Sequence, residues 1–282
     1  MKSRAIFLAL LSTVLFITFT GVLKYTDYNT QLIKPGGSML TASVTANYAS
    51  DNRETATIIT TLSATSSTEA SDILSGNFEL LGVSTSTSFG QALDIANQVS
   101  GIVKIRPAFL LAILQEELTL EKLDMCYLTN IKTGEGIRVI DNQPRKNTLK
   151  PNRDLVPFLT ITKELGKDPL KTQVTCPMSF GWGGAMGPAD FIPSTWMLYK
   201  KKLEKITGKP ADPWDMHDAF LAAGLFLADA GAASKKHEGE WRAAMIYFSG
   251  SPNSKYHFYA DGALKIADKI QQDIDLIQKS SR

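Results

Sequence analysis

Past residue 88 the apolar positions of the chain recur mainly at helical spacing, and glycine, proline and small polar residues punctuate them. The pattern predicts a short helix over 89–99 ended by Gly101. A second, strongly apolar helix, AFLLAILQEEL at 108–118, takes Pro107 into its first turn. Residues 154–165 predict a helix stopping at Gly166. Residues 195–206 predict another behind Ser194 as N-cap, stopping at Gly208. Residues 216–230 follow Asp215, with Asp218 three positions on, and run to Gly231. Their apolar groups point nearly all round, which marks the core helix. A helix over 240–248 precedes a last one whose Ile266, Ile270, Ile274 and Ile277 form one stripe. Strand signals are confined mainly to 136–140, so the expected fold is mainly α.

The first 83 residues read differently. Lys2 and Arg4 precede an uncharged apolar run at 5–22, long enough to cross a bilayer core with its basic flank in the cytoplasm. The small-x-small pattern of a cleavage site is poor there, with only Thr18 and Thr20 offering it. A membrane anchor is therefore favoured over a cleaved signal peptide. Both place the rest of the chain outside the cytoplasm, in a cell envelope. Twenty of the fifty residues from 41 to 90 are Ser or Thr, a composition that solvates backbone and seldom builds a core. Residues 23–83 are thus expected to be a tether and lead-in segment, within which 72–83 (DILSGNFELLGV) is apolar enough to dock. The globular domain is expected over 84–282.

Export decides how the two cysteines are read. Cys126 and Cys176 are the only ones in the chain, and outside the cytoplasm an isolated pair is most simply a disulfide. It would tie the segment just beyond the acidic helix to the segment just before a glycine-rich stretch. With three scattered histidines the cysteines make no metal spacing, so no metal is expected. Without residues 1–22 the chain holds 28 basic and 28 acidic side chains, a balance that gives no case for nucleic acid as partner.

Candidate chemistry sits in two places. Glu116 and Glu117 end the apolar helix, where the helix dipole disfavours negative charge. One reading has one of them facing water and the other paired with a base such as Lys122. The other has one pointing into a cleft, where apolar surroundings keep a carboxyl protonated near neutral pH. The second place is GWGGAMGPADFIPSTW at 181–196, whose glycines bare backbone for a ligand and whose aromatics supply flat faces. Trp182, Phe191 and Trp196 each fit the core as well as a sugar platform.

AILQEEL followed by GGAMGPADFIPSTW resembles the goose-type, Slt-like lytic transglycosylases that cleave bacterial peptidoglycan. In that family a catalytic glutamate ends an apolar helix, and a later GAMG-type loop leads into a helix opening Pro-Ser/Ala-Thr. Glu117 matches the glutamate, Ala185, Met186 and Gly187 the loop, and Pro193, Ser194 and Thr195 the helix start. AAMIYFSG at 243–250 looks like the family's Tyr-Asn/Tyr-Ala-Gly segment, making Tyr247 the tyrosine that faces the acid. The resemblance covers about 89–275 and implies a lysozyme-like helical domain behind the N-terminal segment. It implies Glu117 as single acid/base, with Met186, Gly187, Asp190, Phe191 and Tyr247 toward the glycan strand. The implied reaction is non-hydrolytic cleavage between MurNAc and GlcNAc, leaving 1,6-anhydro ends and needing no cofactor. The chain departs from the pattern at Leu118, where serine is usual, at Thr119 and Glu121, near which glycine is common, and at Asp190, where glutamine is usual. Asp190 leaves open a lysozyme-type hydrolase with a second carboxylate, and the departures together leave open a wall-binding scaffold that kept the fold without the chemistry.

Overall fold

The computed structural model describes residues 68–79, 87–119, 124–178 and 181–281, all within one unit spanning Arg53–Arg282. The apolar run at 5–22, most of the expected tether, Lys122 and the side chains of Leu118 and Thr119 lie outside the described residues. Among the described residues no helix is long and apolar enough to cross a membrane. The described chain is mainly helical, as the periodicity predicts.

Among the described residues from 87 onward the α-helices are α1 (Phe89–Val103), α2 (Pro107–Thr119), α3 (Val156–Glu164), α4 (Pro193–Thr207), α5 (Met216–Asp229), α6 (His237–Ser249) and α7 (His257–Ser280), and residues 68–75 are helical as well. A π-helical turn at Pro151–Leu155 runs straight into α3. Six short strands accompany them among the described residues: β1 (Asn77–Phe78), β2 (Thr87–Ser88), β3 (Met125–Leu128), β4 (Gly136–Arg138), β5 (Pro144–Arg145) and β6 (Val174–Thr175). β1 pairs antiparallel with β2, and the other four form one antiparallel sheet in the order β5-β4-β3-β6.

α2 is the central element. Every side chain from Ala108 to Leu114 is fully buried, which no amphipathic surface helix could tolerate. It packs mainly on α7, with α1 and α5 also against it. α7 offers Ala260, Ala263 and Ala267 on its buried face, and such small residues let two helices approach closely. Its stripe is as expected: Ile270 and Ile274 are buried, Ile266 and Ile277 half-buried against the core. Arg106, just before α2, holds the buried Glu240 of α6 through paired bonds of 2.8 and 2.7 Å. A bidentate guanidinium–carboxylate pair fixes geometry as well as position.

Some expected boundaries moved. α1 does not stop at Gly101 but passes through it, exposed, and ends two residues later where Lys104 turns left-handed at φ 66°. Asp215 caps α5 as expected, accepting from Asp218 N–H at 3.0 Å. Ser194 does not cap α4. The helix starts at Pro193, and the Ser194 amide and hydroxyl both bind the buried Asp154 carboxylate, at 3.2 and 2.6 Å. That carboxylate satisfies donors at an N-terminus forty residues downstream, work a local cap otherwise does. Phe78 packs on Phe89, with ring centroids 6.2 Å apart, so the described part of the 72–83 segment, residues 72–79, contacts the domain, while 80–83 lie outside the described residues.

Candidate active site

Glu117 occupies the last turn of α2 and keeps only 8% of its surface exposed, while Glu116 beside it keeps none. Neither faces water, which removes the reading in which one of the pair was a solvated surface acid. Two neighbours on a helix point about 100° apart, so both directions from this turn lead into protein. The Glu117 carboxylate accepts a 2.5 Å hydrogen bond from the Tyr259 hydroxyl of α7. Tyr259 is itself fully buried and stacks on Phe248 at 4.8 Å.

The glycine-rich stretch folds into a tight turn. Met186 and Phe191 form an antiparallel bridge, with amide–carbonyl distances of 2.9 and 3.3 Å, and residues 187–190 close it. The turn is laced to β6: Ala185 donates to the Thr175 hydroxyl at 3.0 Å, and Gly184 N–H to the Thr175 carbonyl at 2.8 Å. β6 is in turn bonded to β3, and the expected disulfide joins Cys126 to Cys176 across these strands. The strand following α2 and the strand preceding the turn are thereby one covalent unit.

Gly187 sits at φ 64°, and a Cβ there would lie 1.8 Å from the Pro213 carbonyl oxygen. No residue but glycine fits so close to a second backbone. At the far end of the turn Asp190 is left-handed at φ 51°, a conformation that aspartate tolerates better than most side chains. The residue is half-buried, and its Oδ1 is enclosed with no hydrogen-bond partner among the described residues.

Met186 and Phe191, expected to touch substrate, are 1% and 4% exposed. Phe191 is edge-on to Trp196, Tyr199, Phe226 and Tyr247, all with centroids about 6 Å away. It holds the turn on the helical core rather than offering a face to a sugar. Trp196 is likewise core, and only Trp182 of the three candidates is exposed. Tyr247 on α6 does reach the carboxyls electrostatically, but its hydroxyl donates to the Ala189 carbonyl at 2.6 Å. The tyrosine on the acid is Tyr259, which periodicity alone places on the buried stripe of α7, seven residues before Ile266.

These surroundings set the proton affinities. Burial raises the Glu117 carboxyl to about 8, with the nearby Asp190 charge adding to the rise; the Tyr259 bond opposes it and Glu116 adds a little more. Burial raises Asp190 as well, to about 7. The site therefore holds a protonated carboxylic acid at neutral pH, fixed by a tyrosine and beside a second carboxyl. Such a group can give a proton to a substrate oxygen and take one back.

Gly187 also borders a hollow of about 390 Å³, lined with Trp214, Lys167, Lys171, Thr172, Gln173 and Met125; neither Glu117 nor Asp190 lines it. No group of histidines, cysteines and carboxylates suited to a metal is present among the described residues. The chain matches no known protein family, no curated protein and no solved structure. What the site does has to be argued from its own chemistry.

Proposed function

We propose that the chain is a peptidoglycan lytic transglycosylase with a lysozyme-like helical domain, acting in the bacterial cell envelope behind a membrane anchor at 5–22. The observation that carries this reading is the Glu117 carboxyl, buried at the end of an apolar helix, bonded by Tyr259 and set beside the 186–191 turn. Two elements that are far apart in sequence and that together resemble one enzyme family are thus electrostatic neighbours.

In this mechanism protonated Glu117 donates to the glycosidic oxygen between MurNAc and GlcNAc, and the C1–O bond breaks. The positive charge that develops at C1 is met by the sugar's own N-acetyl oxygen. The Glu117 carboxylate then takes the proton of the MurNAc 6-hydroxyl as O6 bonds to C1. The acid is regenerated, a 1,6-anhydro end is left, and no water, metal or cofactor is consumed. Tyr259 fits this double duty, because a hydrogen bond to the carboxylate steadies the ionised form between the two proton transfers.

A hydrolytic reading is favoured by one observation, the second carboxyl at Asp190. An activating base needs to be ionised and to have room for water. A carboxyl raised to about 7 is ionised enough near neutrality to act as a base, but Asp190 Oδ1 is closed to solvent, which leaves no room at that oxygen for the water it would activate. Digestion of purified peptidoglycan in heavy-oxygen water separates the chemistries by mass spectrometry. Anhydro ends without solvent oxygen are expected, and heavy oxygen in new MurNAc ends would replace this reading with a hydrolase. Glu117→Gln should lose nearly all turnover while Glu116→Gln keeps most of it. If both match the parent, the enzyme reading fails and a wall-binding scaffold takes its place.

A further inference from the structure

We infer that the hollow beside Gly187 is a second ligand site, built to take a carboxylate carried on a peptide-like framework. On the function proposed above, that carboxylate belongs to the peptide stems of the glycan strand. This assignment rests on that reading; the site itself does not.

The hollow is walled by segments that the fold brings together. Residues 167–173 run between α3 and β6, Met125 comes from β3, and Trp214 precedes α5. At about 390 Å³ it has the size of a small-ligand pocket. Its aromatic wall is rigid. The Trp214 amide donates to Asp212 at 2.8 Å, its indole N–H donates to the Gln173 carbonyl at 3.2 Å, and Phe158 meets the ring edge-on at 6.5 Å. An indole fixed at three points yet only half-buried offers a flat face at little ordering cost.

Charge selects the ligand. Three charged side chains among the described residues line the hollow: Lys167, Lys171 and Asp168. Asp168 is engaged in its own turn, accepting from the Leu170 amide at 2.9 Å. The lysines are held more loosely. Lys167 lies 5.3 Å from the centre of the Trp214 ring and 3.4 Å from the Asp212 carboxylate, and Lys171 lies 3.9 Å from Asp168. Ion pairs this long, on side chains that water reaches, do little for stability. An ammonium carries three donors, so an incoming carboxylate can be met without surrendering those neighbours. Two cations beside a flat indole suit a carboxylate on a peptide unit, whose planar amide can lie on the ring.

Position ties the hollow to the glycine-rich turn. Gly187 forms one edge of it, and the Gly187 carbonyl accepts from the Asp190 amide at 3.2 Å within that turn. A ligand seated there touches the turn without reaching Glu117 or Asp190, neither of which lines the hollow.

The test is binding without turnover. The full chain carrying Glu117→Gln, in detergent, is titrated with N-acetylmuramyl-L-alanyl-D-isoglutamine, with the same compound amidated at its free carboxylate, and with the N-acetylated dipeptide alone. The ¹⁵N indole resonances are followed, with Trp214→Phe assigning the one that matters. The free acid should shift the Trp214 indole and bind on the order of tenfold more tightly than the amide, the effect of one hydrogen bond to a charged group. Lys167→Gln should erase that preference. Lys171→Gln, at an 84% exposed side chain whose loss leaves the fold untouched, should reduce it about threefold. Equal affinity for acid and amide, a preference unchanged in both lysine variants, or a Trp214 indole unmoved throughout the titration overturns the site. Weaker binding of the dipeptide than of the muramyl compound places the carboxylate on a glycan-borne stem, equal binding places it on a free peptide, and both uphold the site. A lysine-dependent preference in a protein whose parent leaves peptidoglycan intact upholds the site and rejects the function. Cleavage by the parent with no such preference rejects the site alone.

Discussion

Replacing Gly187 by alanine tests whether the turn is held by close backbone approach, as the packing of Gly187 on Pro213 requires. Two costs arise. An alanine at φ 64° bears the left-handed penalty of roughly 1–2 kcal/mol. Its Cβ would also lie 1.8 Å from the Pro213 carbonyl oxygen, so one of two backbones must retreat by more than 1 Å. Neither is free to do so. Trp214 is held by its amide to Asp212 at 2.8 Å and by its indole N–H to Gln173 at 3.2 Å, and the turn is held through Ala189 and Phe191. Overpacking of this kind costs about 1–3 kcal/mol. The two costs together give about 3 kcal/mol, or a fall in Tm of roughly 6–12 °C for a domain of this size. Gly208 supplies the control: it too is left-handed, at φ 71°, but a Cβ there meets nothing within 4 Å. Gly208→Ala should lose only the conformational part, roughly 2–8 °C. Thermal unfolding of both variants by circular dichroism in one buffer measures the difference. Equal falls in Tm would refute the close approach, and with it the account of why glycine is needed in this turn.

Two further outcomes follow from the same structure. Removing both cysteines as Cys126→Ala/Cys176→Ala frees a 50-residue separation, and the loop-entropy relation puts the loss at about 4 kcal/mol, read as a lower denaturant midpoint with the helical spectrum retained; an unchanged midpoint would show that the sheet holds without the bond. Glu117→Gln should become progressively more stable than the parent as pH rises. The parent's folded state keeps a proton up to about 8 that the unfolded chain releases near 4.5, so this group's contribution to stability is full below 4.5 and declines through that window by about 1.4 kcal/mol per pH unit, whereas glutamine has no such dependence. A Tm gap between the two proteins that stays constant from pH 5 to 8 contradicts the buried-acid assignment.

Much of the fold was legible because it rests on local periodicity. α2, α5 and α7 carry apolar patterns that only one burial can satisfy, and the Asp215 cap of α5 is a contact between near neighbours. The Cys126–Cys176 bond was legible for a different reason, since two cysteines allow one pairing. What escaped were contacts between distant segments. Asp154 supplies from the π-helical turn the acceptor that Ser194 was expected to provide for itself, and no pattern within ten residues of Ser194 reports it. Tyr259 bonds Glu117 across 142 positions, and motif matching drew attention to Tyr247 instead. The burial of both Glu116 and Glu117 was equally hidden, because a helix with two adjacent acids reads as having at least one wet face.

That double burial explains why the site lies where it does. An acid at a helix C-terminus lacks the favourable dipole it would have at the other end, and burial raises its proton affinity further. In a structural residue these would be faults to be corrected by a cation, yet among the described residues the groups acting on Glu117 are Asp190, Tyr259 and Glu116. The fold absorbs the cost elsewhere: the Arg106–Glu240 pair anchors the start of α2, the alanines of α7 allow close packing along it, and the disulfide braces the strand beyond it. α2 is thus most firmly held along its apolar length, so that its last turn can present a carboxyl that water would have ionised. A protein gains nothing in stability from such an arrangement. It gains a carboxylic acid that still has its proton at neutral pH.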